Sequence, residues 1–312
     1  MTFRSFAYYV RALLRNLRSK DGASAILSAF GALWLLVELA RFFFPSTVIF
    51  GNKALPDALR DSWPTFFTIG LCLAIWSCKP RLRVSHKVKG RDTLVEIAVG
   101  DIFSFTGAVI VGANTTFDTR IPDVISPSSV QGLFTRHYYH SEGQFEAEMS
   151  RSLEGIPFEA LPGERVGNAK KYAMGTCVTV HAKERIGYLL AIADINEHGN
   201  ASGTFEDLKV SLAKLWEHIG TRGSKEALLI PILGTGFSRL TRSREEIVHE
   251  IIKSFLAACS ERTFTDKLTI VIMPKDMLNY GISLEELGSF LKHECNYTIL
   301  SGGHRPAVGT AA

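Results

Sequence analysis

A glycine-containing turn at residues 234–236 has the residue types and the spacing of a phosphate-binding loop. The apolar run 228–233 predicts a strand buried on both faces, and segment 243–260 predicts a helix. In a strand–turn–helix unit, backbone N–H groups can surround a phosphate. Gly234 and Gly236 permit positive φ and leave no side chain between the backbone and a ligand. On its own, a Gly-x-Gly at the end of a strand is more often only a turn.

Two earlier segments place hydrogen-bonding side chains just after apolar stretches. Asp101 follows the stretch 93–99, and its carboxylate suits the amino hydrogens of adenine as well as it suits a helix N-cap. Asn114 follows the stretch 107–113 and can donate and accept hydrogen bonds to a ribose, or serve as a turn residue. Segment 128–133 starts a predicted helix whose first N–H groups can bind a pyrophosphate.

In this order, these segments resemble the ADP-ribose-binding signature of macro domains, over roughly residues 90–300. The resemblance implies that Asp101 takes the adenine, that Asn114 lies near the distal ribose, and that two loops enclose the phosphates. Arg239 could add charge there or be a solvated loop arginine. The ligand-binding residues predicted in this way are Asp101, Ile102, Asn114, Asp118, Ser128, Ser129, Val130, Gln131, Gly132, Leu133, Gly234, Thr235, Gly236, Phe237, Ser238 and Arg239.

The departures from the family pattern favour binding without turnover. Macro-domain hydrolases typically have Asn-Ala-Ala-Asn where this chain has Val111-Gly112-Ala113-Asn114, and their Gly-Gly-Gly is replaced by Ser128-Ser129. The Cβ atoms of these serines predict a reshaped pocket. The pocket residues do not assemble a nucleophile, a base and an orienting group. We therefore predict a binding protein with no catalytic residues, no cofactor and no metal.

The composition narrows the class of protein further. A net charge of +4 in 312 residues does not indicate nucleic-acid binding driven by bulk charge. The five cysteines are far apart, without Cys-x-x-Cys or His/Cys spacing typical of a metal site. They are interpreted as small buried apolar residues in a reduced compartment.

The first 79 residues predict a membrane anchor. Segment 1–20 has apolar residues at helical spacing and only basic charges, which favours a helix lying on an anionic membrane surface over an ordinary packing helix. Segment 23–44 is long enough to span a bilayer, and 63–78 is a shorter apolar segment near the lower limit. Lys and Arg residues flank both segments on the outside of the pair, so both termini are predicted to be cytoplasmic.

From residue 80 onward, strand and helix patterns alternate. They predict a cytosolic α/β domain over 80–312, with a mixed sheet covered by helices on both faces. The expected fold is a macro-domain-like three-layer α/β/α arrangement, preceded by a two-helix transmembrane hairpin in 1–79. Segment 297–300 is expected to be a strand, and 301–312 a loose tail.

A macro domain behind two transmembrane helices resembles the effector of type II Thoeris antiphage defence. Residues 100–103 and 112–118 look particularly like that family. The resemblance implies a bacterial inner-membrane receptor-effector that binds histidine-linked ADP-ribose made by a partner TIR protein. It then implies self-association on ligand binding, disruption of the membrane lipid and abortive infection. An anchored ADP-ribosylhydrolase and a tethered scaffold with a decayed pocket remain as alternatives.

Overall fold

The computed structural model describes residues 3–44, 48–50, 53–54, 57–58, 61–162, 167–183, 185–196, 201–234 and 242–297. The chain divides into two compact units, Met1–Arg81 and Leu82–Ala312. Each unit has its own secondary structure and is described separately below.

The N-terminal unit is mainly helical. Its helices are α1 (Phe3–Leu17), α2 (Lys20–Phe43) and α3 (Trp63–Ser77), and a short hairpin of β1 (Val48–Phe50) and β2 (Lys53–Ala54) lies between α2 and α3. Among the described residues, α2 is the one helix long and apolar enough to cross a membrane, whereas α3 is shorter. The predicted first span is therefore present as a helix, and the second is a helix below the usual spanning length.

The helices of this unit pack through small and aromatic side chains. The Phe30 and Phe67 rings lie 5.7 Å apart. A Cβ at Gly70 would approach the Phe30 ring to 2.6 Å, so the glycine permits α2 and α3 to come close together. The Asn16 side chain donates to the Cys78 carbonyl oxygen, which ties the end of α1 to the end of α3.

The C-terminal unit alternates strands and helices over Leu82–Tyr297. Its strands are β3 (Arg83–Lys87), β4 (Leu94–Val99), β5 (Ala108–Asn114), β6 (Phe158–Ala160), β7 (Lys170–Tyr172), β8 (Cys177–Ala182), β9 (Arg185–Ile195), β10 (Ala201–Ser202), β11 (Leu228–Pro231) and β12 (Lys267–Ile272). Its helices are α4 (Val130–Tyr138), α5 (Glu142–Ser152), α6 (Phe205–Arg222), α7 (Arg244–Glu261), α8 (Pro274–Tyr280) and α9 (Leu284–Tyr297).

An eight-stranded mixed sheet forms the middle layer, in the order β10-β9-β5-β11-β12-β4-β3, with β8 also paired to β9. Strands β9, β5, β11, β12 and β4 are mutually parallel, while β3, β8 and β10 pair antiparallel with their neighbours. The short β6–β7 hairpin stands apart from this sheet. A parallel centre requires helices on both faces, because its strands are apolar on both sides.

Alternation along β5 shows how the helices cover the sheet. Val109, Val111 and Ala113 belong to the buried cluster that includes Phe134 of α4 and Phe145 of α5. Helix α7 contacts both α6 and α9, and these three helices form the second helical layer. The predicted three-layer α/β/α fold with a mixed sheet is confirmed.

Three details differ from the expectations. Tyr297 ends α9 instead of starting a strand, and residues 298–300 lie outside the described part of the chain. Four cysteines are buried and free as predicted, but Cys72 of α3 is exposed. The β6–β7 hairpin was not expected, because three-residue strands are too short to show a period.

Candidate functional site

A cleft of about 410 Å³ opens at the carboxyl ends of the parallel strands. Ligands of open α/β sheets bind outside this edge, where successive strands deliver loops to one place. Six of the predicted ligand-binding residues line the cleft: Asn114, Ser128, Ser129, Val130, Gln131 and Gly234. Chain segments that are distant in sequence therefore meet here.

The N-terminus of α4 forms one wall of the cleft. Ser129 is its N-cap, and the Ser129 hydroxyl accepts from the Gly132 N–H at 3.0 Å. A Cβ at Gly132 would lie 2.4 Å from the Ser126 carbonyl oxygen, so only glycine allows the preceding turn to fold back here. The positive end of the helix dipole at this point favours an anionic ligand.

Two of the predicted ligand-binding residues in α4 donate their backbone N–H groups to acceptors of the protein itself. The Gly132 N–H is taken by the Ser129 cap, and the Leu133 N–H donates to the Ser129 carbonyl oxygen at 2.9 Å. Neither residue lines the cleft. The first-turn N–H groups of Val130 and Gln131 are the ones that helix geometry leaves without an intrahelical acceptor.

The Asn114 side chain lines the cleft and also holds the following turn. Its amide nitrogen donates to the Asp118 carboxylate at 3.0 Å, and its carbonyl oxygen accepts from the Asp118 N–H at 3.1 Å. The Thr116 hydroxyl donates to the same carboxylate at 2.5 Å. Asn114 is therefore a turn residue in this structure, one of the two roles that its sequence position allowed.

Asp118 is buried, with 1% of its surface exposed, and does not line the cleft. Its second carboxylate oxygen accepts from the Asn168 N–H, and its carbonyl oxygen accepts from the Gln131 side chain at 2.7 Å. A buried carboxylate needs several donors to offset its lost hydration, and three are present. Asp118 is one of the predicted ligand-binding residues, and that role stays a prediction; in this structure its carboxylate is bound by protein donors.

Asp101 lies just beyond β4, beside the end of β12. The Gly100 N–H donates to the Ile272 carbonyl oxygen, which continues the sheet pairing up to this point. The Asp101 carboxylate accepts from the Phe103 N–H at 3.1 Å and caps a single 3-10 turn, Ile102–Ser104. The Ile102 side chain is buried in the apolar core. Asp101 lies at the carboxyl edge of the sheet, where the cleft opens, but neither Asp101 nor Ile102 lines the cleft.

The glycine turn after β11 is described only at its start. Gly234 has φ of 70°, the left-handed conformation that the sequence predicted for it. Thr235, Gly236, Phe237, Ser238 and Arg239 lie outside the described residues. Their predicted contacts with the phosphates remain predictions.

Several cleft residues were not identified from the sequence. Arg244 comes from the first turn of α7, and Lys275, Asp276, Asn279 and Tyr280 come from α8. A seven-residue helix has less than two turns of periodicity, so α8 has little pattern to recognise. The signal that was available is Pro274, two residues after the end of β12, since proline is favoured in a first helical turn.

A larger cleft of about 850 Å³ lies between α5, the β6–β7 hairpin and the loop after β5. Its lining includes Thr116, Met149, Phe158, Asn168 and Tyr172. Volume alone would favour this cleft as the binding site. The smaller cleft is the better candidate because strand ends, a helix N-terminus and the glycine turn converge on it. Within the described residues, no group of three metal-ligating side chains could hold an ion.

Comparison with known proteins gave one related sequence and two structural alignments. The chain is 24% identical over 191 residues to the Thoeris protein ThsA of Bacillus amyloliquefaciens (strain Y2). The alignment covers 58% of this chain and 63% of the length of that protein. A point mutant of the Oceanobacillus iheyensis macrodomain aligns with a TM-score of 0.45 and 16% identity, covering 71% of this chain and 100% of that one. The same macrodomain with MES bound gives a TM-score of 0.41 and 17% identity, over 70% and 98% of the two chains.

The family match extends over most of the C-terminal sheet. Residues 95–273, from β4 to the end of β12, match the family described as "Thoeris protein ThsA, Macro domain". The matched range contains Asn114, the α4 N-terminus and Gly234. This chain belongs to the Thoeris ThsA macro-domain family.

Proposed function

We propose that the cleft at the carboxyl edge of the sheet binds a derivative of ADP-ribose. The observation that carries this proposal is the convergence of the α4 N-terminus, the Gly234 turn and Asn114 on one cleft inside a domain of the macro family. Backbone N–H groups at a helix N-terminus suit a diphosphate, since they supply donors and a favourable dipole without a side chain. Asp101, beside the end of β12, supplies an acceptor for an adenine amino group.

The messenger that we propose is histidine-linked ADP-ribose made by a partner TIR protein. The support for this is the family match together with the Thoeris-like stretches 100–103 and 112–118. The chain spans about 63% of the length of its curated ThsA relative. The proposal therefore concerns the macro domain and the N-terminal helices of this chain.

We propose a receptor and not a hydrolase. The Asn114 amide and the Asp118 carboxylate, which would be the polar groups nearest a distal ribose, are engaged in hydrogen bonds with one another and with Thr116. Because three protein donors already bind the buried Asp118 carboxylate, and Asp118 does not line the cleft, it is not positioned to activate a water molecule there. Release of ADP-ribose from ADP-ribosylated protein by the purified chain would favour the hydrolase alternative.

The N-terminal unit would anchor this receptor in the bacterial inner membrane. We propose that α2 and α3 both cross it, with both termini in the cytoplasm, because basic residues crowd outside the pair. Reporter fusions at the C-terminus and near residue 52 test this topology. A periplasmic C-terminus would show that α3 does not cross.

Ligand binding would act on the membrane through self-association. One pair of short apolar helices cannot enclose an aqueous passage, so several copies must gather. A ligand drives such assembly only if it binds the assembled form more tightly. Light scattering of the detergent-solubilised protein should therefore show a larger particle after the histidine conjugate is added, and an unchanged mass would contradict this coupling.

Calorimetry of the detergent-solubilised full chain with ADP-ribose and with its histidine conjugate tests the proposal directly. Asp101→Asn keeps an oxygen that can cap the 3-10 turn but loses the charge, so affinity should fall about tenfold. Asp92→Asn is the matched control, because Asp92 is an exposed carboxylate before the opposite end of β4. If neither compound binds the native chain, the scaffold alternative replaces the receptor.

A further inference from the structure

Arg244 lines the same cleft, and its charged guanidinium group is mostly buried there. One guanidinium nitrogen lies 3.9 Å from an Asp276 carboxylate oxygen, and both side chains are only 14% exposed. The guanidinium carbon lies 3.2 Å from the centre of the Tyr280 ring. The ring and the carboxylate come from α8, so two helices hold this arginine in place.

The guanidinium is largely removed from water but incompletely hydrogen-bonded. A separation of 3.9 Å from Asp276 exceeds the usual hydrogen-bond distance, so the pair interacts only through charge. The buried Arg244 Nε has no hydrogen-bond acceptor in the part of the chain that the structure describes. The Tyr280 ring face attracts the cation but accepts no strong hydrogen bond. Buried donors without acceptors are rare in native proteins, because each carries a desolvation cost.

The charges around the cleft indicate what an acceptor would be. Among the described residues, the charged ones that line it are Arg244, Lys275 and Asp276, which together carry one net positive charge. The N-terminus of α4 faces the same space and adds a positive dipole. An arginine fork matches the geometry of phosphate oxygens and can bind two of them at once.

We propose that Arg244 donates hydrogen bonds to an anionic phosphate group of the bound ligand, and that Asp276 is the internal competitor which the phosphate displaces. Tyr280 is a positioning residue, because stacking keeps the guanidinium plane in the cleft while its partner changes. This assignment rests on the proposed function, since it concerns the same cleft. It explains why an acid stands in a site for an anion: Asp276 neutralises Arg244 when the cleft is empty.

The proposal predicts opposite effects for two substitutions in one ion pair. Arg244→Gln should weaken ADP-ribose binding about tenfold to a hundredfold, because a charged hydrogen bond is lost. Asp276→Asn should strengthen it, since the competing carboxylate is gone. If the pair only stabilised the fold, both substitutions would weaken binding. Arg242→Gln is the control for bulk charge: it removes a cation two residues away, which is ion-paired with Glu246 at 3.7 Å instead of lining the cleft.

The test is calorimetry of the detergent-solubilised full chain with ADP-ribose at several sodium chloride concentrations. Native protein should lose affinity as salt rises, and Arg244→Gln should flatten that dependence, because one fewer charge contacts the ligand. Arg242→Gln should keep the native salt dependence and nearly the native affinity. Asp276→Asn, which retains a side chain of the same size, keeps the proposal testable if Arg244→Gln fails to fold.

Two results would overturn the proposal, and they are distinguishable. If native protein binds ADP-ribose while Asp276→Asn weakens binding or Arg244→Gln keeps the native salt dependence, Arg244 does not contact the phosphate, and the proposed function stands. If native protein does not bind ADP-ribose or its histidine conjugate, both the assignment and the proposed function fail.

Discussion

Apolar side chains have opposite surroundings in the two units of this protein. In the N-terminal unit, Trp34 of α2 is 68% exposed and Phe42 is 76% exposed, and many of their apolar neighbours are exposed as well. In the C-terminal unit, Leu189 of β9 and Phe134 of α4 are fully buried. Many large apolar side chains exposed on one pair of helices are typical of a membrane or protein contact. Similar residue types thus serve a water-excluding core in one unit and an outward-facing surface in the other.

Polar side chains also have different surroundings in the two units. Glu38 and Arg41 form an exposed pair at 3.9 Å, one turn apart on α2. In the C-terminal unit, buried polar groups are joined in networks, such as Asn114, Thr116 and Asp118. A helix satisfies its own backbone, so it can present apolar side chains to lipid, whereas a sheet with loops needs partner side chains. The C-terminal unit therefore uses buried polar networks of this kind to hold its loops.

The largest expected effect comes from separating the two units. Deletion of residues 1–79 should abolish membrane association and ligand-induced leakage from liposomes, while the affinity for ADP-ribose stays the same. Trp34, Trp63 and Trp76 are removed, so buried Trp216 is the sole tryptophan left and reports the folding of the remaining unit. Leakage that survives the deletion would show that the exposed apolar surface is not a membrane anchor.

The same substitution in each unit sharpens the comparison. Leu189→Ala should lower the free energy of unfolding of the C-terminal unit by about 2–5 kcal/mol, because it leaves a cavity in a packed core. Leu36→Ala on α2, where the leucine is exposed, should leave that free energy unchanged. Urea denaturation of the detergent-solubilised protein, followed by circular dichroism, measures both. Equal losses in the two variants would refute the distinction.

The smallest expected effect concerns pH and is confined to the C-terminal unit. Burial, and to a lesser degree the charge of Arg222, lower the pKa of His218 below its ordinary value of 6.5. The unfolded chain then binds more protons than the folded one as pH falls below 6.5, so stability decreases in that range. His218→Gln can keep a hydrogen bond to Thr179 and should make stability less dependent on pH between about 7.5 and about 5.5. Urea denaturation at each pH checks this, and an unchanged pH dependence would contradict it.

Much of the C-terminal fold could be predicted because local patterns there agree with the final structure. The helix expected at 243–260 is α7, whose N-cap Ser243 and Glu246 form a reciprocal capping box. The apolar run 228–233 contains β11, and Gly234 ends it with positive φ. The sequence did not predict the short elements, namely the β6–β7 hairpin and α8. It also left two roles open for Asn114, because that side chain has two chemically reasonable partners.

The sequence by itself determined that an apolar two-helix segment precedes an α/β domain, and which strand ends carry polar residues. These features follow from local periodicity, glycine positions and charge, which act within a few residues of each other. Only the tertiary structure decided that Asp118 is buried beneath Asn168 and Gln131, and that Arg244 meets Asp276 and Tyr280. Those contacts join segments separated by up to about fifty residues, and their geometry depends on how helices pack across the sheet, which a local pattern does not encode.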